Sequence, residues 1–395
     1  MPERNVVLGV TGSIAAYKAV DLASKLTQDG VTVHTVMTES ATKLVGPASF
    51  RAITGRPVAT EMFEPTNLFS IEHVSLAELA DLLLIAPATA NVIAKLAHGI
   101  ADDLLTCTGL ATRAPILIAP AMHAAMWENS ATRTNVETLR GRGVTFIGPV
   151  EGRLASGGRG VGRFAPVPDI LGEALRILGR KGDLAGKRIV VTAGGTREPI
   201  DPVRFLGNPS TGKMGFALAE AARDRGANVT LISGPTLLPR PSGVDVVDVQ
   251  TAADMLTAVR EAVADADVLI MAAAVADYGP AQAPARKKLK KGESELVLHL
   301  TRTVDILNSV REVPLRVGFA AETENLVDHA RRKLAEKGLA LVVANPIGEP
   351  DSGFAADENR VVLVDANSEE ELPLLPKRVV ADRILDRIAG KLSSR

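Results

Sequence analysis

The chain opens twice in the same way, and few folds allow that. Asn5–Val36 reads as a strand (NVVLGV), a Gly turn, a helix (SIAAYKAVDLASKLTQDG) and a strand (VTVHTV). Lys187–Ser233 repeats the order with KRIVVTAGG, a long loop, GFALAEAARDRG and ANVTLIS. Such a unit sets its strands parallel, with the helix packed across a face. Other apolar runs suit strands covered on both faces. They are DLLLIA, APILIA and GVTFIG in the first half, and VDVVDV, DVLIMAAA, LRVGFA, LALVVAN and NRVVLV in the second. The expectation is α/β, with two doubly wound Rossmann-like domains over residues 1–180 and 184–395. The polar segment Leu178–Arg188 is the candidate linker between them.

Composition narrows the function. A length of 395 residues suits two or three domains, each with its own core. A formal net charge of −1 gives no electrostatic case for nucleic-acid or membrane binding. No run is long and apolar enough for a transmembrane helix. MPERNVVLGV enters a strand directly and lacks the layout of a signal peptide. The one cysteine, Cys107, excludes an internal disulfide and suits a reducing cytoplasm. Its place in DDLLTCTGLA reads as a small buried hydrophobe.

The loop between Gly195 and Gly215 is far longer than the usual connection of about two to six residues. It carries Thr196, Arg197, Asp201, Arg204, Asn208, Ser210, Thr211 and Lys213. Above the carboxyl end of a parallel strand, that is where open α/β sheets bind ligands. Gly207, Gly212 and Lys213 satisfy the start of a P-loop, but Met214 stands where Ser or Thr must hold Mg²⁺. A P-loop ATPase is therefore rejected. In the first half, small residues at Gly9, Gly12 and Ser13 let a helix N-terminus meet a phosphate. The dinucleotide fingerprint and its acidic ribose-binding residue are missing, since the second strand runs into MTESA. A nicotinamide cofactor is disfavoured. APATAN (86–91) and APAMHAAMW (119–127) follow strands and would line the same sheet edge.

The loop, MAAAVADY (271–278), ARKKLKK (285–291) and GFAAET (318–323) occur in an informative order. GSIAAYK (12–18), APATAN and the PAM..MW pattern accompany them in the first half. Together these resemble the bifunctional phosphopantothenoylcysteine decarboxylase/phosphopantothenate–cysteine ligase family of coenzyme A synthesis, over nearly the whole chain. For the first half the resemblance implies a flavodoxin-like domain binding FMN. Gly12, Ser13, Ser40 and the turn Ala86, Pro87, Ala88 and Thr89 would lie on its phosphate and ribityl chain. The family forms trimers with FMN between subunits, which would place His73 in a neighbour's site as the catalytic histidine. Imidazole near neutral pKa can accept a proton or position a carboxylate. Two positions depart from the family. His123 stands where it usually has Asn, and Ser156 where its lid has a proton-donating Cys. Both are carried as candidate catalytic positions.

For the second half the resemblance implies CTP-dependent ligation of cysteine to 4′-phosphopantothenate through an acyl-cytidylate, with Mg²⁺ accompanying the nucleotide. Lys288 matches the catalytic lysine of the K-x-K-K segment, and Asn208 the asparagine acting on the activated acyl group. Met271, Ala272, Ala273, Asp277, Val304, Asp305, Ile306, Leu307, Phe319, Lys333 and Lys337 would surround the nucleotide. A strand-end Asp277 can hold a ribose hydroxyl or the metal. Lys333 and Lys337 are one helical turn apart and share a face. Trimers of the first half linked by dimers of the second would give a dodecamer. The competing reading is an active ligase with an impaired flavin-binding half that serves oligomerisation or regulation.

Overall fold

Strands form where the chain is apolar without interruption, and helices where Ala and Leu recur at helical spacing. The computed structural model describes residues 4–62, 72–155, 157–290, 296–322, 324–346 and 356–393. Contacts divide the chain into two units, Met1–Leu178 and Gly179–Arg395.

In the first unit, β1 (Asn5–Val10), β2 (Thr32–Met37), β3 (Val58–Ala59), β4 (Leu82–Ala88), β5 (Ile116–Pro120) and β6 (Thr145–Phe146) form a parallel sheet. The order is β3–β2–β1–β4–β5–β6. The direction of winding reverses between β1 and β4, the crevice where doubly wound sheets bind ligands. Every residue of β4 is buried, as a strand covered on both faces requires. The helix Ala16–Gln28 buries Ala16, Ala19, Leu22, Ala23 and Leu26 on one stripe. It starts after a turn through Ser13, later than the sequence suggests. The Gly-rich stretch after Leu154 supplies β8 (Arg159–Arg163), which pairs with β7 (Val150–Arg153) in an antiparallel hairpin. Cys107 is only half-buried, and its thiol donates to the Ala101 carbonyl at 3.2 Å.

The second unit starts the same way. Its strands are β9 (Arg188–Ala193), β10 (Arg197–Pro199), β11 (Phe205–Gly207), β12 (Asn228–Ser233), β13 (Asp245–Asp248) and β14 (Val268–Met271). They continue as β15 (Tyr278–Pro280), β16 (Leu300–Arg302), β17 (Leu315–Glu322), β18 (Leu341–Pro346), β19 (Glu358–Val364) and β20 (Glu369–Pro376). The main sheet runs β13–β12–β9–β14–β17–β18–β19–β20, parallel through β18 and antiparallel beyond it. β10–β11 and β15–β16 are separate antiparallel hairpins, the first inside the long loop. β20 has three glutamates and two prolines in EEELPLLP, which only an edge strand tolerates.

The segment expected to be a linker packs into the second unit. Leu184 is wholly buried, and its N–H donates to the Arg225 carbonyl at 3.1 Å. Asp183 pairs with the Arg225 guanidinium. A Cβ on Gly179 or Gly182 would stand 2.3 Å from a backbone carbonyl oxygen of Asp224 or Arg225. Among the described residues, no helix is long and apolar enough to cross a membrane.

Candidate active sites

In the first unit, three strand-end turns are tied together at one sheet edge. The Thr11 hydroxyl donates to the Pro87 carbonyl at 2.8 Å and accepts from the Thr89 N–H at 3.0 Å. The Ser13 hydroxyl donates to the Ala121 carbonyl at 3.1 Å. A cleft of about 780 Å³ opens here, and Gly12, Ser13, Thr89 and His123 all line it. Ile14, Met122, Met126, Leu154 and Phe164 make it largely apolar. Gly12 leaves no room for a side chain, since a Cβ would lie 2.4 Å from Ser40 Cβ. Ser40 itself sits on the exposed face of the short helix Glu39–Thr42 and does not line the cleft. Ala86, Pro87 and Ala88 are buried within β4 and do not line it either.

His123 caps the helix Ala124–Glu128, its Nδ1 accepting from the Ala125 N–H at 3.3 Å. An asparagine oxygen serves the same capping purpose, so this substitution keeps the local fold. With Nδ1 as acceptor, a neutral ring carries its proton on Nε2. His73 lies in the first turn of the helix Glu72–Leu79 and does not line the cleft of its own chain. Ser156 lies outside the described residues.

The β7–β8 hairpin is docked over the cleft. Met122 N–H donates to the Gly162 carbonyl at 3.0 Å, and a Cβ on Gly162 would stand 2.3 Å from the Met122 carbonyl oxygen. Gly162→Ala should therefore push the hairpin outward. Overpacking of about 1–3 kcal/mol weakens flavin retention roughly 5- to 150-fold. Flavin absorbance per chain after gel filtration measures it; full retention would show that the hairpin does not wall the site.

In the second unit a cavity of about 840 Å³ opens at the carboxyl ends of β9, β14 and β17. Asn208, Met271, Ala272, Ala273, Asp277, Val304, Asp305, Ile306, Leu307, Phe319, Lys333 and Lys337 all line it. The long loop supplies the strip from Asn208 to the helix Lys213–Arg223, whose cap, Gly212, has φ of 83°. That left-handed value suits glycine. Thr192 and Thr196 hold the β14 extension: their hydroxyls accept from the Ala273 and Ala276 N–H groups at 3.1 and 2.9 Å. Asn208 Nδ2 donates to the Val275 carbonyl at 3.1 Å, fixing its amide beside that strip.

Lys288 is not part of this wall. It lies on an exposed segment held by its neighbour, Leu289, whose N–H donates to Asp201 at 3.1 Å. Asp201 also accepts from the Arg204 guanidinium, which holds its carboxyl well below the usual carboxylate range.

One arginine supports the opposite wall. Buried Arg316 donates to the carbonyls of Leu307, Val310, Lys337 and Gly338 at 3.0, 3.3, 2.9 and 2.9 Å. It thus fixes together the helix ends that carry Ile306–Leu307 and Lys333–Lys337. Lys337 pairs with Asp305 at 3.0 Å. Burial pushes the Asp305 carboxyl up, but Lys337 and the Asn308 N–H outweigh it and leave it below its ordinary value. Lys333 donates to the Phe319 carbonyl, and burial, with Lys337 nearby, pushes its ammonium pKa down.

The sign of that shift gives opposite trends. As pH rises through the lowered pKa of Lys333, the cavity loses positive charge and its affinity for an anionic ligand falls. The folded chain binds this proton less readily than the unfolded chain, so stability rises over the same window. Titrating affinity for an anionic ligand and melting temperature as pH is raised should show the divergence. Lys333→Arg should move the affinity loss to higher pH; an unmoved profile would assign it to another group.

The motifs overlooked Asn345, Asn359 and Lys377, which also line the cavity. Asn345 ends β18 as Asp277 follows β14, so a strand-end polar residue was a usable signal. Lys377 follows β20, a strand whose sequence does not announce itself.

Residues 1–178 match the Flavoprotein family, and 184–392 match the DNA/pantothenate metabolism flavoprotein C-terminal domain. The coenzyme A biosynthesis bifunctional protein CoaBC of Bacillus subtilis (strain 168) is 47% identical over 394 residues, 98% of this chain and 97% of the relative. The chain belongs to the family of bifunctional coenzyme A biosynthesis proteins. The namesake from Mycobacterium tuberculosis (strain ATCC 25618 / H37Rv) is 45% identical over 410 residues, 99% of this chain and 97% of the relative. Among solved structures, the C-terminal domain of a CoaBC protein shares 43% identity with a TM-score of 0.47, covering 54% of this chain and all of that one. This family member is an enzyme with phosphopantothenoylcysteine decarboxylase and phosphopantothenate–cysteine ligase activities, and its first unit is a flavoprotein domain.

Proposed function

We propose that the second unit joins cysteine to 4′-phosphopantothenate by nucleotidyl transfer from CTP, and that the first unit decarboxylates the product with FMN. The observation that supports the ligase reading most is the single cavity uniting Asn208, the β14 extension, Phe319 and the Lys333–Lys337 pair. A carboxylate oxygen of 4′-phosphopantothenate attacks the α-phosphorus of CTP. The α–β P–O bond breaks, and its electron pair leaves with pyrophosphate. The cysteine amine then attacks the acyl carbon, forming the amide and releasing CMP and a proton. The Asn208 amide donates to the oxygen that gains charge in that second step. Asp277 and the nucleotide phosphates would share Mg²⁺, which takes few protein ligands. Lys288 would stabilise charge during transfer, which requires its segment to move or a second copy of the chain.

The decarboxylase cleft fits a flavin nucleotide. Its apolar wall suits a ring system, and Gly12 permits close backbone approach. FMN bound there supplies reversible two-electron chemistry at the cysteine-derived carbon. Thr89 and the turn at Gly12–Ser13 would hold the phosphate and ribityl chain. His73, offered to the cleft by a neighbouring subunit, would position the departing carboxylate. That requirement supports trimers of the first unit, with dimers of the second completing a dodecamer. A serine hydroxyl is a far weaker acid than a thiol, pKa about 8.5, so Ser156 does not replace a cysteine donor directly. The proton comes through another donor or a bound water, and His123 is a candidate only as the imidazolium, whose N–H is acidic enough to donate.

The test is the purified full chain given CTP, cysteine and 4′-phosphopantothenate. It should be yellow, release pyrophosphate and CMP, and form 4′-phosphopantetheine with CO₂. Release of a nucleoside diphosphate and phosphate would overturn the nucleotidyl reading. A colourless protein that takes up no FMN would overturn the flavin assignment.

A further inference from the structure

The helix Leu326–Lys337 carries His329, Lys333 and Lys337 at intervals of four residues, so the three share a face. The row spans about 12 Å along the helix. Each member meets an oxygen of another element. Lys337 pairs with Asp305 at 3.0 Å, the Lys333 ammonium donates to the Phe319 carbonyl, and His329 Nδ1 lies 2.9 Å from Glu322 Oε2. The row changes sign at its first member. Lys333 and Lys337 bring positive charge to the ligase cavity, whereas Glu322, the last residue of β17, lines it with a carboxylate. The His329 and Glu322 side chains are 33% and 34% exposed, so a ligand can reach the pair. A carboxylate has about four acceptor positions, and the bond to His329 takes one. Burial and Lys337 push the Lys333 ammonium pKa down, and Glu322 opposes them more strongly than Asp305 or Asp277 does. Glu322 therefore acts on the same patch of the cavity as the lysines. It belongs to GFAAET, the motif that also supplies Phe319.

A carboxylate repels the phosphates that the lysines attract, and opposes binding unless another substrate brings a cation. CTP and 4′-phosphopantothenate are anions. Cysteine alone among the three substrates carries a cationic group, its ammonium. We propose that Glu322 binds the α-ammonium group of cysteine, with His329 as the positioning residue that aims the carboxylate. This rests on the nucleotidyl-transfer reading, which separates an activation step without cysteine from an amide-forming step with it. An ammonium-to-carboxylate hydrogen bond is charge-assisted and directional, so it orients the nitrogen that attacks the acyl carbon. The ammonium releases one proton to solvent before its lone pair can attack. The carboxylate keeps the neutral amine by accepting from an N–H that remains. Mg²⁺ is the other cation of the reaction, and the ribose hydroxyls are other donors a carboxylate can take, so the test separates all three.

Two assays on the full chain test it. One is the cysteine KM in complete ligation. The other is exchange of labelled pyrophosphate into CTP, with 4′-phosphopantothenate present and cysteine left out. Glu322→Gln should raise the cysteine KM about 10- to 100-fold, the loss of one charge-assisted contact, and spare the exchange. His329→Ala should raise the cysteine KM about two- to tenfold. His329→Asn, whose Nδ2 takes the place of Nδ1, should restore it. A packing defect would lower the exchange as well and would not be rescued by asparagine. A Glu322→Gln chain with the wild-type cysteine KM overturns the proposal. Loss of exchange that added Mg²⁺ reverses would assign Glu322 to the metal, and a rise confined to the KM for CTP would assign it to the ribose; either overturns it. Should Glu322→Gln not fold, the histidine variants decide, and an unmoved cysteine KM in His329→Ala overturns the proposal. If wild type shows no exchange, the nucleotidyl reading falls, while the cysteine KM still decides the subsite.

Discussion

Asn208→Ala is expected to lower ligase kcat by about 10²–10³ while leaving flavin content unchanged. Asn208 Nδ2 is anchored on the Val275 carbonyl at 3.1 Å, and an amide has two N–H donors, so one remains for substrate. A donor aimed at developing charge acts on kcat more than on KM. Asn208→Asp is the sharper comparison, because it keeps the shape and replaces the donor with a negative charge. It should be at least as slow as the alanine variant. Rapid quench should show the acyl-nucleotide accumulating in both, since its formation precedes the step that Asn208 assists. Unchanged kcat would mean that the loop positions the nucleotide and does no more.

The second large effect concerns where the ligase unit begins. A fragment starting at Gly179 should be about 3 kcal/mol more stable than one starting at Lys187. Most of the difference is Leu184, a wholly buried side chain. The rest is Asp183, half-exposed, whose loss leaves Arg225 with Asp386 at 2.8 Å as its remaining carboxylate. For a fragment of this size that is roughly 6–12 °C in Tm. Both fragments keep every cavity residue, so both should ligate where folded. Equal melting temperatures would show that the segment before β9 contributes nothing.

The sheets were legible because continuous Val, Ile and Leu runs admit few other structures. NVVLGV and KRIVVTAGG became β1 and β9, and helix faces followed from Ala and Leu spacing. Most of the second unit's candidate positions share one cavity for another reason: they sit in short motifs at strand ends, which topology gathers on one edge. Several features were not legible. β20 hides its pairing behind glutamates and prolines, so Lys377 had no signal. The buried packing of Gly179–Leu184 resembles a polar linker in composition, because its glycines matter through close backbone approach. Burial of Ala86–Ala88 came from the strand running further than the motif implied. Positions such as His73, whose proposed partner belongs to another copy, have no expression in the fold of one chain.

The antiparallel end of the second sheet has a consequence for how the protein is made. Lys377 reaches the cavity only after β20 has emerged, and the helix Lys377–Ser393 buries Val380, Ala381, Ile384, Leu385 and Ile388 in the core beneath it. Domains fold as units, the N-terminal one first, during synthesis at about 5–20 residues per second. The flavoprotein unit is complete at Leu178. The ligase sheet stays unsealed until the closing helix clears the ribosome, leaving apolar strands exposed for roughly 10–40 s. A ribosome that stalls within the helix Lys377–Ser393 thus leaves a decarboxylase fold tethered to an aggregation-prone, unfinished ligase.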